Sequence, residues 1–205
     1  NREIEEAAQG DPVAGAAWVA YHSAVTAARA EVIRLHGAGL YVDLHGHSHQ
    51  IERIELGYLP SGSELRLSDE ALDTGTHCRL SGAGSTPIEC AEKSSILELV
   101  ARSGRSFSAL VRGPESLGSN IAARGFAAVP SADDPHPMHG DEYYDGGAST
   151  QWYGSRDGGA VSGVQVEINH AVRVDPDLLE AVSVAIADSL LDYLDAMYDE
   201  DFRVR

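Results

Sequence analysis

The run Val164-Gln165-Val166-Glu167-Ile168-Asn169 alternates apolar and polar residues without a break. A period of two is that of an extended chain, so the run requires a strand with Val164, Val166 and Ile168 on one face and Gln165, Glu167 and Asn169 on the other. The predicted strand spans Val161 to Ile168. Its apolar face must be covered by another layer, which commits the chain to a layered fold. On the polar face, Glu167 either looks into a cleft or faces solvent from an edge strand, and the alternation leaves both readings open.

The flanking sequence supplies the covering layer. Val13, Ala17, Val19, Ala20, Ala24, Ala27, Val32 and Leu35 recur at helical spacing after Asp11-Pro12, and Gly37 and Gly39 end that helix. Leu40 to Leu44 then reads as a short buried strand that empties into the segment His45-Gly46-His47-Ser48-His49, with a second strand from Ile54 to Leu59. Short helices are expected at Ser68 to Leu72, Ser94 to Arg102, Ser106 to Val111 and Leu117 to Ala123. A strand is expected at Phe126 to Val129, then a long loop from Pro130 to about Gly159, and finally an amphipathic helix from Asp175 to Tyr198. This order predicts a single α/β domain over residues 1–205, with a mostly parallel or mixed central sheet flanked by helices. Ligands collect at the carboxyl ends of the strands of such sheets.

Charge narrows the partners. The 205 residues carry 15 basic and 32 acidic groups, a formal net charge of −17. That field repels phosphate backbones and anionic lipid, so neither nucleic acid nor membrane is an expected partner. No apolar run has the length of a membrane span, and Asn1 to Gln9 is too acidic and polar for a signal peptide. The expectation is a soluble protein, with a secreted or extracellular setting favoured over a cytoplasmic one. Cys78 and Cys90 sit in a Gly/Ser/Thr-rich stretch, where they either close a short disulfide or remain free thiols.

The chemistry-bearing residues begin at Asp43. In an extended chain Asp43, His45 and His47 project the same way while Leu44 packs behind them, which places one carboxylate and two imidazoles at a strand end. Imidazole is a good zinc ligand and a carboxylate can orient it through its second nitrogen. The other reading is a polar loop with solvated histidines, and His49 is assigned to it. Asn1 and Arg2 stand where a terminal pair is ordinarily frayed, yet an arginine can grip a carboxylate through two parallel hydrogen bonds.

These pieces in this order resemble the N-formylglutamate amidohydrolase family and, more distantly, the zinc carboxypeptidase (phosphorylase/hydrolase-like) architecture. The resemblance is carried by Asn1-Arg2-Glu3, the block from Val42 to Leu59, the stretch from Gly113 to Gly125, Gly146-Gly147 with Tyr153-Gly154-Ser155, and Gln165 to Asn169. It implies that His45 is a ligand of one zinc ion, with Asp43 supporting it and His47 a further candidate. It implies that Glu167 is the general base, that Asn1 and Arg2 hold the substrate carboxylate, and that Tyr153 covers the pocket. The reaction implied is attack of water on an amide or formamide carbonyl of a small carboxylate-bearing substrate.

The resemblance covers the C-terminal two-thirds of the family domain. A Pro-His-Gly-like segment that would bring further metal ligands is expected ahead of Asn1, and its absence suggests a processed chain or a fragment. That segment would belong to the native protein or arrive on a second chain. The segment Ala148-Ser149-Thr150-Gln151-Trp152 also stands where an aromatic and arginines are expected, which weakens recognition of formylglutamate itself. The alternative is a catalytically inactive member of the fold acting as a binding module or assembling with copies of itself. An acidic calcium-binding protein ranks last, because no spaced set of oxygen ligands accompanies Asp133-Asp134 or Asp141-Glu142.

Overall fold

In the computed structural model, which describes residues 3–80 and 85–198, the alternating run becomes a strand of nine residues at the centre of a sheet. The chain enters through two helices, α1 (Ile4–Ala8) and α2 (Pro12–His36). Asp11 caps α2 by accepting from the Val13 and Ala14 backbone N–H groups, and Gly37 closes it with φ 76°, a left-handed conformation suited to a residue without a Cβ. Strands β1 (Gly39–His47) and β2 (Ile54–Gly57) follow, then α3 (Gly62–Leu65) and α4 (Asp69–Asp73). A small hairpin, β3 (Cys78–Arg79) with β4 (Pro87–Ile88), leads into α5 (Cys90–Lys93), α6 (Leu97–Ser103), α7 (Phe107–Arg112) and α8 (Leu117–Ala122). The rest is β5 (Ala128–Val129), α9 (Ala148–Tyr153), β6 (Val161–Asn169), α10 (His170–Val174) and α11 (Pro176–Tyr198).

The main sheet has the order β1-β6-β2-β5. β1 is parallel to β6 and β2 to β5, while β2 runs antiparallel to β6, so the sheet is mixed and mostly parallel, as expected. β6 lies between two neighbours and is buried along nearly all its length. Of the two readings of Glu167, the solvent-facing edge glutamate is therefore excluded.

One face of the sheet forms the core. Ile54 and Leu56 of β2 and Val164 and Val166 of β6 join Leu99, Phe107, Leu110, Leu117 and Ile121 from α6 to α8 and Val182, Ile186, Tyr193 and Met197 from α11. The α11 residues recur at three- and four-residue steps, the stripe expected of an amphipathic helix. Against the start of the other face lie α9 and α2, which leaves Leu44, His45 and Gly46 of β1 exposed just before its buried last residue, His47.

Several expectations are corrected. β1 extends through the histidine segment to His47, so His45 and His47 belong to a strand and not to a loop. Leu44 does not pack behind them: it is 64% exposed, because the covering helices do not reach that part of β1. The inward seam of α2 is Gly15, Trp18, His22, Val25, Arg29 and Val32, all half-buried, whereas Val13, Val19 and Leu35 point outward. The long loop after Pro130 contains α9. Cys78 and Cys90 form a disulfide.

Candidate metal centre

Register fixes which side chains meet. On the polar face, Asp43 pairs with Gln165, His45 with Glu167 and His47 with Asn169 across the parallel β1–β6 ladder, and Glu55 pairs with Glu167 across the antiparallel ladder. Cross-strand partners share a face about 5 Å apart, so three strands lay out a contiguous row of carboxylates and imidazoles. At its middle, His45 stands with Nε2 3.2 Å from Asp43 Oδ2 and Nδ1 3.9 Å from Glu167 Oε1. Its side chain is 43% exposed, while Asp43 and Glu167 are buried.

Glu167 is held from behind. Gln165 accepts from the Gly147 backbone N–H at 2.7 Å, which orients its amide to donate to Glu167 Oε1 at 2.6 Å. Oε2 of Glu167 is buried without a hydrogen-bond partner. Burial pushes the Glu167 carboxyl above the ordinary carboxylate range, against the opposing pull of His45, Gln165 and His47. A carboxylate with one free oxygen and a raised affinity for a proton suits proton transfer.

At the end of β1 the row turns into a closed cluster. His47, His49 and Glu55 bring one ligand atom each within 4.8 Å of one another, a set capable of coordinating a metal ion. Glu55 Oε1 lies 2.9 Å from His49 Nδ1 and 3.9 Å from His47 Nδ1. His49 was expected to be solvated, and the structure corrects this: the chain turns after His47 and lays its ring on Glu55, between His47 and Tyr144. Its signal was present in the sequence, since His49 continues the two-residue period of Asp43, His45 and His47. Glu55 and Gln165 were also not assigned roles; only their place on the shared face, set by β2 and β6, identifies them.

The structure thus brings Asp43, His45, His47 and Glu167 together. Tyr153 is placed differently: its hydroxyl bonds His22 Nδ1 on α2 and its ring lies 5.2 Å from Tyr41, at the beginning of the row and away from His47. Asn1 and Arg2 lie outside the described residues. Among the described residues no helix is long and apolar enough to cross a membrane. Comparison with protein-family models, with curated proteins and with solved structures finds no match.

Proposed function

We propose that this chain carries the catalytic part of a zinc-dependent amidohydrolase resembling N-formylglutamate amidohydrolase, acting on the amide or formamide bond of a small carboxylate-bearing substrate. The observation that supports it most is His45, set between Asp43 at one ring nitrogen and Glu167 at the other on an open strand end. Asp43 Oδ2, buried without a hydrogen-bond partner and 3.2 Å from Nε2, would hold that nitrogen and leave Nδ1 as the ligating atom, the arrangement by which a carboxylate fixes the tautomer of a metal-bound histidine. A zinc ion held there by His45 would supply a Lewis acid, polarising the substrate carbonyl and making water easier to deprotonate. Glu167 takes the proton from water and returns it to the departing amine, with Gln165 holding its other oxygen. Further ligands beside His45 would come from a segment outside residues 3–198, and Asn1 and Arg2 are assigned to the substrate carboxylate.

The test is hydrolysis of N-formyl and N-acyl dicarboxylic amino acids by the zinc-loaded protein. Glu167→Gln is expected to lower kcat by about 100-fold or more, the usual weight of a general base, with zinc content unchanged. Equal turnover by the two proteins would remove Glu167 from this role. A second reading, a non-catalytic binding or self-assembling module, draws on the exposed Val13, Val19, Tyr21, Ile33 and Leu35 of α2. Turnover abolished by Glu167→Gln would exclude it.

A further inference from the structure

The cluster at the end of β1 has features that the hydrolytic reading does not use. Its three members differ from His45 in being closed to solvent: the side chains of His47 and Glu55 are 0% exposed and that of His49 is 12% exposed. In two of them the second polar atom is already tied to backbone. His47 Nε2 donates to the Arg53 carbonyl at 2.8 Å, which leaves its Nδ1 an acceptor, met by the His49 backbone N–H at 3.2 Å, a bond that a metal ion would replace. Glu55 Oε2 accepts from the Tyr144 backbone N–H at 2.8 Å, which leaves Oε1 turned toward both rings. Backbone ties of this kind orient metal ligands and set the tautomer of ligating histidines.

Charge points the same way. Among the described residues Glu55 is a fully buried carboxylate with no lysine or arginine in ion-pair contact, only the two imidazoles. Arg53, two residues earlier, spends its guanidinium on Asp134 and Asp141. A buried carboxylate is costly without a compensating charge, and a divalent cation held by it and the two imidazoles would supply one.

We infer that His47 Nδ1, His49 Nδ1 and Glu55 Oε1 form a zinc site of their own, distinct from the His45 end, which ties the carboxyl end of β1 to β2. Atoms about 2 Å from a tetrahedral zinc stand about 3.3 Å apart; the two separations from Glu55 Oε1, 2.9 and 3.9 Å, bracket that spacing, and the whole set lies within 4.8 Å and would contract onto the ion. Two imidazoles and one carboxylate suit zinc, whereas calcium and magnesium require sets made wholly of oxygen. Zinc takes the place of the proton His49 Nδ1 now donates to Glu55, and the ring recovers that proton at Nε2. Of the three ligands His49 borders a cavity of about 110 Å³, shared with Gln50, Asp141 and Glu142, and that is the side from which an ion and a fourth, water ligand would enter.

The experiment is to dialyse the protein against chelator, return one equivalent of zinc, and measure bound metal by elemental analysis together with the thermal midpoint. The wild type and His45→Ala are expected to hold one zinc per chain and to melt higher with zinc than without it. His49→Ala and Glu55→Gln are expected to lose affinity by about 100-fold and to lose the zinc-dependent shift; circular dichroism of the metal-free proteins confirms that both are folded. Glu55→Gln keeps an oxygen for the Tyr144 N–H, so its loss of zinc is not a loss of that tie. Zinc retained by His49→Ala and Glu55→Gln would overturn the site. So would a wild type that takes up no zinc. Zinc lost by His45→Ala but kept by His49→Ala would place the ion at His45, overturning this inference while supporting the hydrolytic one.

Discussion

Three histidines two residues apart occupy three environments: His45 open and bracketed by carboxylates, His47 buried on a carbonyl, His49 folded back on Glu55. Identical side chains acquire different properties from what the neighbouring strands supply. Glu64 makes the same point with a titration. Its burial would raise its pKa, but hydrogen bonds from Lys93 Nζ at 2.6 Å and from the Arg79 and Ser61 N–H groups win and hold it below the ordinary glutamate value. A carboxyl depressed in the folded state adds stability above its unfolded pKa, and that stability is lost as pH falls through the folded value. Lys93→Met should therefore cost about 2 kcal/mol in urea unfolding at about pH 7, with the difference from wild type shrinking at about pH 3. A constant difference across that range would mean that packing, and not the charge pair, is what Lys93 supplies. Alternation made Asp43, His45 and Glu167 legible in the sequence. It could not reveal that Leu44 lies bare or that His49 is captured, because both depend on segments distant in the chain.

Elements divide by what specifies them. β6, α2 and α11 are long and periodic, so their own residues declare them, and the expected spans agree with the observed ones to within a residue or two. By contrast β3 and β4 have two residues each and α9 has six, too short for periodicity to mark. The β3–β4 hairpin is held by long-range ties. Cys78 of β3 is bonded to Cys90 at the start of α5, both are fully buried in the core, and Arg79 N–H donates to Glu64. A cross-link spanning 12 positions removes loop entropy from the unfolded chain worth about 3 kcal/mol. Replacing both cysteines with alanine is expected to lower the unfolding free energy by about that much in urea titrations, with the Glu167 end of the sheet undisturbed. If stability is unchanged, the hairpin is held by its side-chain contacts alone.

The whole molecule is lopsided. Among the described residues none before Ile54 belongs to the buried core cluster, although Leu40 and Val42 pack against its edge. α2, about 37 Å long, buries no residue fully and touches the rest along a seam one side chain wide. The sequence disclosed the length and ends of this helix but misplaced its inward face, because its many alanines leave the hydrophobic stripe ill-defined while Trp18, His22 and Arg29 decide the contact through Tyr153 and its neighbours. A helix so lightly docked should open without unfolding the core, since local stability follows buried apolar contact. In native-state hydrogen exchange, α2 amides are expected to exchange by local opening, well below the free energy that protects β6. Asp11→Ala removes the cap that satisfies the Val13 and Ala14 N–H groups, so it should lower α2 protection by about 1 kcal/mol and leave the urea midpoint in place. Were β6 protection and the midpoint to fall with it, α2 would unfold in one cooperative unit with the core, and the thin seam would have to be stronger than its burial implies.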